Sequence, residues 1–355
     1  MKRFGLLLLS EFKLFRTTIP VHIIGIFQPA LMFSLMALVL VTPTFDMHVV
    51  HPITPLGTEL VLEMEKVCSP IGDNYISPIL VDPVASREIP GGQLISVETV
   101  DGTSIALQRY GLIDSNMVKN FRNRLTSAAL SIWNKSLMGH SITIVQYPRL
   151  SRDIPYSVYF GMAMLPLAAF LAAALIGAFS TAQEFEFNTI IEYRLSPISM
   201  ILIMGVRLVR LSLIGLLSAF VLMLVVGIFA GGWPSSLAWA ALILLVMALL
   251  GGCLGTLAGL VLQSTLPAFL IGLALAFFTW ILGSAFGLAA GFSGAYEAVS
   301  RWIPNTYAVE LLFPLYYGVN IGSSQPAILF LATACTILVL ATMFTYRRKI
   351  LLRQR

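Results

Sequence analysis

Several apolar runs in this chain approach the roughly 20 residues that an α-helix needs to cross the hydrocarbon layer of a bilayer. No other feature constrains the fold as strongly, because a backbone in lipid must satisfy its own hydrogen bonds, and only helices and closed barrels do so. Hydrophobic residues make up 57% of the 355-residue chain and charged residues only 11%, which excludes an ordinary soluble fold. Six spans are expected, at about 18–42, 157–180, 199–229, 237–262, 266–290 and 325–345. Basic residues precede the first of them, but no small-residue cleavage site follows, and Pro20, His22 and Gln28 interrupt it early. It reads as a retained span and not as a signal peptide.

Charge orients the spans. Residues 1–16 hold Lys2, Arg3, Lys13 and Arg16 against Glu11, and Arg347, Arg348, Lys349, Arg353 and Arg355 follow the last span with no acid among them. The positive-inside bias places both termini in the cytosol, as an even number of spans requires. Arg194, Arg207 and Arg210 put the loop between spans two and three on the same side. The long segment 43–152 has ten acidic and nine basic residues, shows no such bias and is expected outside. The net charge of +5 collects at the cytosolic edges, where anionic lipid attracts it, and gives no reason to expect nucleic acid as a partner.

The chain therefore reads as an all-α polytopic membrane protein with six transmembrane helices and a small mixed α/β extracytoplasmic domain. Residues 1–16 mix Leu and Phe with basic residues at helical intervals, as in a cytosolic interfacial amphipathic helix. Residues 17–42 form the first span, 43–152 the outer domain, 153–346 the five-helix remainder and 347–355 a basic cytosolic tail. Within 43–152, the stretches LISVETV, TSIALQRY and HSITIVQYP read as strands, and Asp114 to about Leu137 as a helix. Pro52 and Pro55 argue for irregular chain near His48 and His51. Three cysteines, Cys68, Cys253 and Cys335, give no disulfide framework, and no His, Cys and carboxylate cluster has metal-site spacing.

Between spans two and three, the segment 181–198 is charged yet wedged between apolar runs, as expected of a cytosolic element held against the membrane. On a continuous helix, Glu184, Asn188 and Glu192 would share a face, with Phe185, Phe187, Ile190 and Ile191 supplying apolar contacts. Pro197 ends the element and Ser199 restarts the chain into span three. An ordinary interfacial loop with solvated carboxylates would have the same composition. Arg207 and Arg210, three apart near the start of span three, either snorkel to the cytosolic interface or form a gate there. Gly251, Gly252, Gly255 and Gly259 in span four suit close helix packing. Between spans five and six, region 291–322 places Glu297, Arg301 and Glu310 among Trp302, Tyr307, Phe313, Tyr316 and Tyr317, which fits either short interfacial helices or an aromatic belt.

In this order of spans, Glu184, Glu186, Thr189 and Ser196-Pro197 resemble the permease subunits of type-2 ABC exporters (ABC-2 permeases). Their pattern after the second span is Glu-x-Glu-x-Gly-Thr-hydrophobic-x-x-Leu-x-x-(Ser/Thr)-Pro, and Asn188 stands here in place of the glycine. The resemblance implies that Glu184, Glu186, Asn188, Thr189, Glu192, Ser196 and Pro197 receive force from cytosolic ABC ATPase subunits. It also implies that Glu297, Arg301, Trp302, Glu310, Phe313, Tyr316 and Tyr317 form an external gate. The expected partners are those ATPases, a second identical or homologous permease, the lipid bilayer and a periplasmic or extracellular protein, all at a bacterial inner membrane. No Gly-rich phosphate loop ending in Lys-Ser/Thr is present, so no cofactor is expected in this chain, and ATP and Mg belong to the partner subunits. A path lined mainly by Leu, Phe, Met and Ala suits export of an amphiphilic or hydrophobic substrate, such as a drug, lipid or lipid-like peptide. The competing expectation is a non-transporting scaffold or signalling module with a ligand-binding outer domain.

Overall fold

The computed structural model describes residues 4, 5, 7, 8, 19–40, 45–50, 55–67, 76–81, 94–99, 105–110, 126–135, 156–195, 198–285, 295–318 and 324–352. The expected amphipathic helix at 1–16 lies mostly outside these residues, and 4, 5, 7 and 8 are helical. The chain divides into two compact units, Thr42–Ile154 and the remainder, Met1–Val41 with Pro155–Arg355.

In chain order, the elements begin with α1 (Ile19–Leu40), β1 (Phe45–Val50), α2 (Pro55–Glu65), β2 (Ile76–Val81), β3 (Leu94–Thr99) and β4 (Ile105–Tyr110). A helix at 126–135, α3, follows. Next come α4 (Tyr156–Glu186), α5 (Ile190–Leu195), α6 (Met200–Ala230), α7 (Leu237–Leu262) and α8 (Thr265–Leu282). The chain continues through α9 (Ala295–Ser300) and α10 (Pro304–Tyr317) to α11 (Ser324–Leu352). Six of these helices, α1, α4, α6, α7, α8 and α11, are long and apolar enough to cross a membrane.

The unit Thr42–Ile154 carries a four-stranded sheet in the order β2-β1-β3-β4. β1 runs parallel to β2 and β3, and β3 pairs antiparallel with β4, from Leu94 opposite Tyr110 to Thr99 opposite Ile105. LISVETV and TSIALQRY thus contain β3 and β4, whereas HSITIVQYP lies outside the described residues. The expectation of irregular chain near His48 and Pro55 is corrected, because His48 lies in β1 and Pro55 opens α2, whereas His51 and Pro52 lie outside the described residues. The first helical position needs no intrahelical N–H, and the fixed φ of proline suits it. Glu63 of α2 is buried and accepts hydrogen bonds from Lys135 Nζ at 2.6 Å, Lys66 Nζ at 2.9 Å and the Ser131 hydroxyl at 2.9 Å. The Lys135 and Ser131 bonds tie α2 to α3, and the two lysines hold the Glu63 carboxyl at about 2, well below the ordinary carboxylate range.

In the other unit, α4 is the axle, buried along nearly its whole length, whereas α11 is exposed over much of its surface. Its Ala-rich surface lets neighbours approach closely. A Cβ built on Gly251, Gly255 or Gly259 of α7 would lie 2.3, 2.1 and 2.7 Å from the carbonyl oxygens of Phe170, Ala174 and Ala178. The every-fourth-residue spacing on both helices sets α7 parallel to α4 at near backbone contact, as small-residue stripes do in membranes. Gly252 turns instead toward Leu211 of α6.

Prolines inside helices leave carbonyls without their usual N–H donors. The Ser218 hydroxyl of α6 lies 3.2 Å from the Gly25 carbonyl, one turn before Pro29, and 3.0 Å from that of Ile26. Near Pro166, the Ala163 carbonyl accepts the Trp280 indole N–H at 3.2 Å as an added bond between helices, whereas the carbonyl that this proline leaves without its donor is that of Met162. At Pro29 a neighbouring helix thus satisfies the interrupted backbone, as lipid cannot. α1, α6 and α8 run antiparallel to α4, while α7 and α11 run parallel to it. This alternation brings Glu186, Met200, Leu262 and Thr265 to one end of the bundle, together with the C-terminal turns of α11.

Candidate functional site

At that end the polypeptide between α4 and α6 breaks its helix. Asn188 adopts φ +57°, a left-handed conformation that branched residues resist and that Asn and Gly tolerate. The Phe187 N–H still reaches the Gln183 carbonyl at 2.9 Å, after which the chain turns and α5 begins at Ile190. The expectation of one continuous face through Glu184, Asn188 and Glu192 is therefore corrected. These residues fall on α4, in the turn and on α5, respectively.

The connector is pinned from within and apolar without. Phe185 and Ile190 are buried with Met204, Leu208, Leu260 and Tyr346. Phe187, Ile191 and Leu195 are 66%, 47% and 82% exposed, and Asn188, Thr189 and Glu192 are exposed beside them. Ser196 and Pro197 lie outside the described residues. Ser199 caps α6, its hydroxyl accepting the Leu202 N–H at 3.4 Å.

The two leading acids make different connections. The Glu184 carboxylate accepts both terminal nitrogens of Arg207, one at 2.8 Å, in a two-point ion pair. The Arg207 guanidinium is 1% exposed and lies 5.8 Å from the centre of the Tyr346 ring on α11. Glu186 instead accepts the backbone N–H of Thr265 at 2.9 Å. It thereby supplies a cap to α8 that Ser264, the residue at the cap position, does not make. An acid suits this place because the exposed N–H groups of a helix N-terminus carry partial positive charge. Snorkelling is corrected for Arg207 and Arg210, which are both buried. For Arg207 the reason is plain: Glu184 offers a two-point partner inside the bundle.

At the opposite end, α9 and α10 pack against the C-terminus of α8. Tyr296 donates to the Ile281 carbonyl at 3.0 Å, and the Asn305 side-chain amide donates to that of Gly283. Glu297 and Arg301 form an ion pair one turn apart on an exposed surface. With Ala298, Trp302, Tyr307 and Phe330 they line a cleft of about 620 Å³, in which Tyr307 stacks on Phe330 with ring centres 4.3 Å apart. The seven residues expected at a gate separate into two groups. Glu297, Arg301 and Trp302 share the cleft, while Phe313, Tyr316 and Tyr317 form an aromatic cluster at the end of α10. Glu310 is half-buried between them, and burial raises its carboxyl while the Arg301 charge partly offsets that rise.

Sequence reasoning missed Tyr346, Thr265 and Phe330 as partners. The Ser264-Thr265 pair ahead of Pro267 is a helix-start signal that points to Thr265, whereas Tyr346 and Phe330 carry no local signal. Among the described residues no group of three or more His, Cys, Asp and Glu is placed to hold a metal ion.

Six apolar helices of alternating direction, two of them joined by a fastened connector that exposes Phe187, Ile191 and Leu195, define a multi-pass membrane protein. The family model described as ABC-2 family transporter protein matches residues 89–345, most of the chain, and the chain belongs to that family. It is accordingly a transmembrane subunit of an ABC transporter, a transport component of a kind that is not itself catalytic and that works with ABC ATPase subunits. No curated protein matches the chain.

Proposed function

We propose that this subunit exports an amphiphilic or hydrophobic substrate, driven by ATP and Mg bound in separate ATPase subunits that dock on the connector between α4 and α6. The observation that carries the reading is the pairing of a buried anchor, Phe185 and Ile190, with an outer face of Phe187, Ile191 and Leu195. With Asn188, Thr189 and Glu192 exposed among them, these apolar side chains suit cover by another protein better than by lipid tails, and the inner anchors let that partner's movement reach the bundle. In this reading the connector and both termini are cytosolic, and the unit Thr42–Ile154 is a mixed α/β domain outside a bacterial inner membrane. A second permease, identical or homologous, completes the pathway. The Glu297 to Tyr317 region acts as the outer gate, and Arg207 and Arg210 stand at the inner one.

The nature of the substrate follows from scarcity of charge. Among the described residues of the six spans, the buried charged side chains are Arg207 and Arg210, both near one end. Such an interior offers little to replace the hydration shell of a small ion. The test is purification of the tagged chain in mild detergent, with mass identification and stoichiometry of the retained proteins. Two ATPase copies per two permeases are expected. A reproducible complex without an ATPase would overturn the reading and favour a scaffold.

A further inference from the structure

Glu184 belongs to the segment assigned above to the motor interface, yet its carboxylate points inward. Three helices meet at it: α4 supplies Glu184, α6 supplies Arg207 and α11 supplies Tyr346. A two-point guanidinium–carboxylate pair fixes direction as well as distance, and removal from water makes the pair costly to separate. The pair ties α4 to α6, and the last span joins them through the Tyr346 ring, 5.8 Å from the Arg207 guanidinium and buried in one cluster with Phe185 and Ile190 of the connector.

α11 then continues as one helix toward the opposite end, where Phe330 stacks on Tyr307 of α10. Sixteen residues at the helical rise place Phe330 about 24 Å from Tyr346. Between these points one side of α11 rests on the bundle, with Leu338, Val339 and Met343 packed on the core around Tyr346 and Thr342 buried, while much of its remaining surface is exposed. Two specific contacts, one at each end of a continuous helix, form a mechanical link.

The geometry points to α11 as a rod coupling the connector to the cleft of α9 and α10, with Glu184, Arg207 and Tyr346 as its joint and the Tyr307–Phe330 stack as its far contact. This rests on the ATP-driven reading above. Glu184 is then a positioning residue inside the subunit, and docking falls to Phe187, Ile191, Glu192 and Leu195. Linkage makes the coupling reciprocal, so a change at the cleft alters the connector as well.

The test uses the full chain with its co-purified ATPase in lipid nanodiscs. Ala298, which is exposed and lines the cleft, is replaced by cysteine after Cys68, Cys253 and Cys335 have been replaced by alanine. The rate of maleimide labelling is compared with and without Mg-ATP. In the parent, nucleotide is expected to change that rate by about fivefold or more, in the range of ordinary allosteric coupling. Glu184→Gln, Tyr346→Leu and Phe330→Ala should each bring the ratio toward one while the ATPase stays bound, and Glu184→Arg combined with Arg207→Glu should restore part of it.

Phe330→Ala lies far from the buried pair and guards against simple misfolding at the joint. A parent ratio of one, or an undiminished ratio in Tyr346→Leu and Phe330→Ala, would overturn the rod. Loss of the ATPase in Glu184→Gln would place that carboxylate on the docking surface and overturn the joint. Absence of any ATPase from the parent would overturn the exporter reading first, and the coupling role with it.

Discussion

Glu184–Arg207 and Glu297–Arg301 are the same chemical pair in opposite physical settings. The first joins residues on two helices, with its arginine 1% and its glutamate 12% exposed as side chains. The second spans one turn of chain, and its arginine side chain is 70% exposed. In the first, desolvation makes a broken pair expensive because an uncompensated charge stays behind. In the second, water replaces the partner and the pair opens at little cost. The export mechanism proposed above calls for both behaviours, a joint that holds at the connector and a surface that rearranges at the other end.

The largest expected effect breaks the first member of the comparison. Arg207→Ala leaves Glu184 without its two-point partner and is expected to destabilise the folded bundle by about 3–5 kcal/mol, read by unfolding in mixed micelles. A loss below 1 kcal/mol would put the two pairs in one class. Next, Gly255→Val tests whether tight packing contributes independently of charge. The new side chain would press on the Ala174 carbonyl, and a loss of about 1–3 kcal/mol is expected in the same assay.

The connector gives a smaller effect. Asn188→Val forces a branched side chain into a left-handed conformation at a cost of about 1–2 kcal/mol, whereas Asn188→Gly should be neutral or slightly stabilising. A tolerated valine would show that the turn is not needed.

Glu63 offers an intermediate case, a buried carboxylate whose two lysine partners are solvent-exposed. Its carboxyl is held at about 2 instead of the ordinary 4.5, so its stabilisation is complete above the ordinary value and is lost as pH falls from there toward 2. The protection of α2 amides from hydrogen exchange, taken relative to the intrinsic rate at each pH, should fall over that window, and Glu63→Gln should flatten the dependence. The smallest effect belongs to the exposed pair: Arg301→Ala should change stability by no more than about 0.5 kcal/mol in mixed micelles.

The ease of reading the sequence follows the same division. Long apolar runs announce themselves, so the six spans were legible to within a few residues at most ends. α11 runs further, to Leu352, because a helix carrying Arg347, Arg348 and Lys349 can continue past the lipid. The glycine stripe of α7 was legible because its four-residue spacing is local. The turn at Asn188 was legible only as a departure from a glycine pattern, and the helical-face argument failed there because it assumed that the helix continued. Arg207 was visible as an intramembrane charge, but its burial depends on Glu184, 23 positions away in sequence. Tyr346 and Phe330 join partners on other helices, and no periodicity in one segment encodes that. β1 and β2 were not anticipated, since FDMHVV and ISPILV are short and the latter contains a proline.

The most direct test of the central claim places a photo-crosslinking residue at Ile191 or Leu195 on the connector, or at Trp302 on the opposite end, in the intact complex. Crosslinks to an ATPase subunit are expected from the first two positions and none from Trp302. A complex that retains its ATPase but yields no crosslink from Ile191 or Leu195 would contradict it.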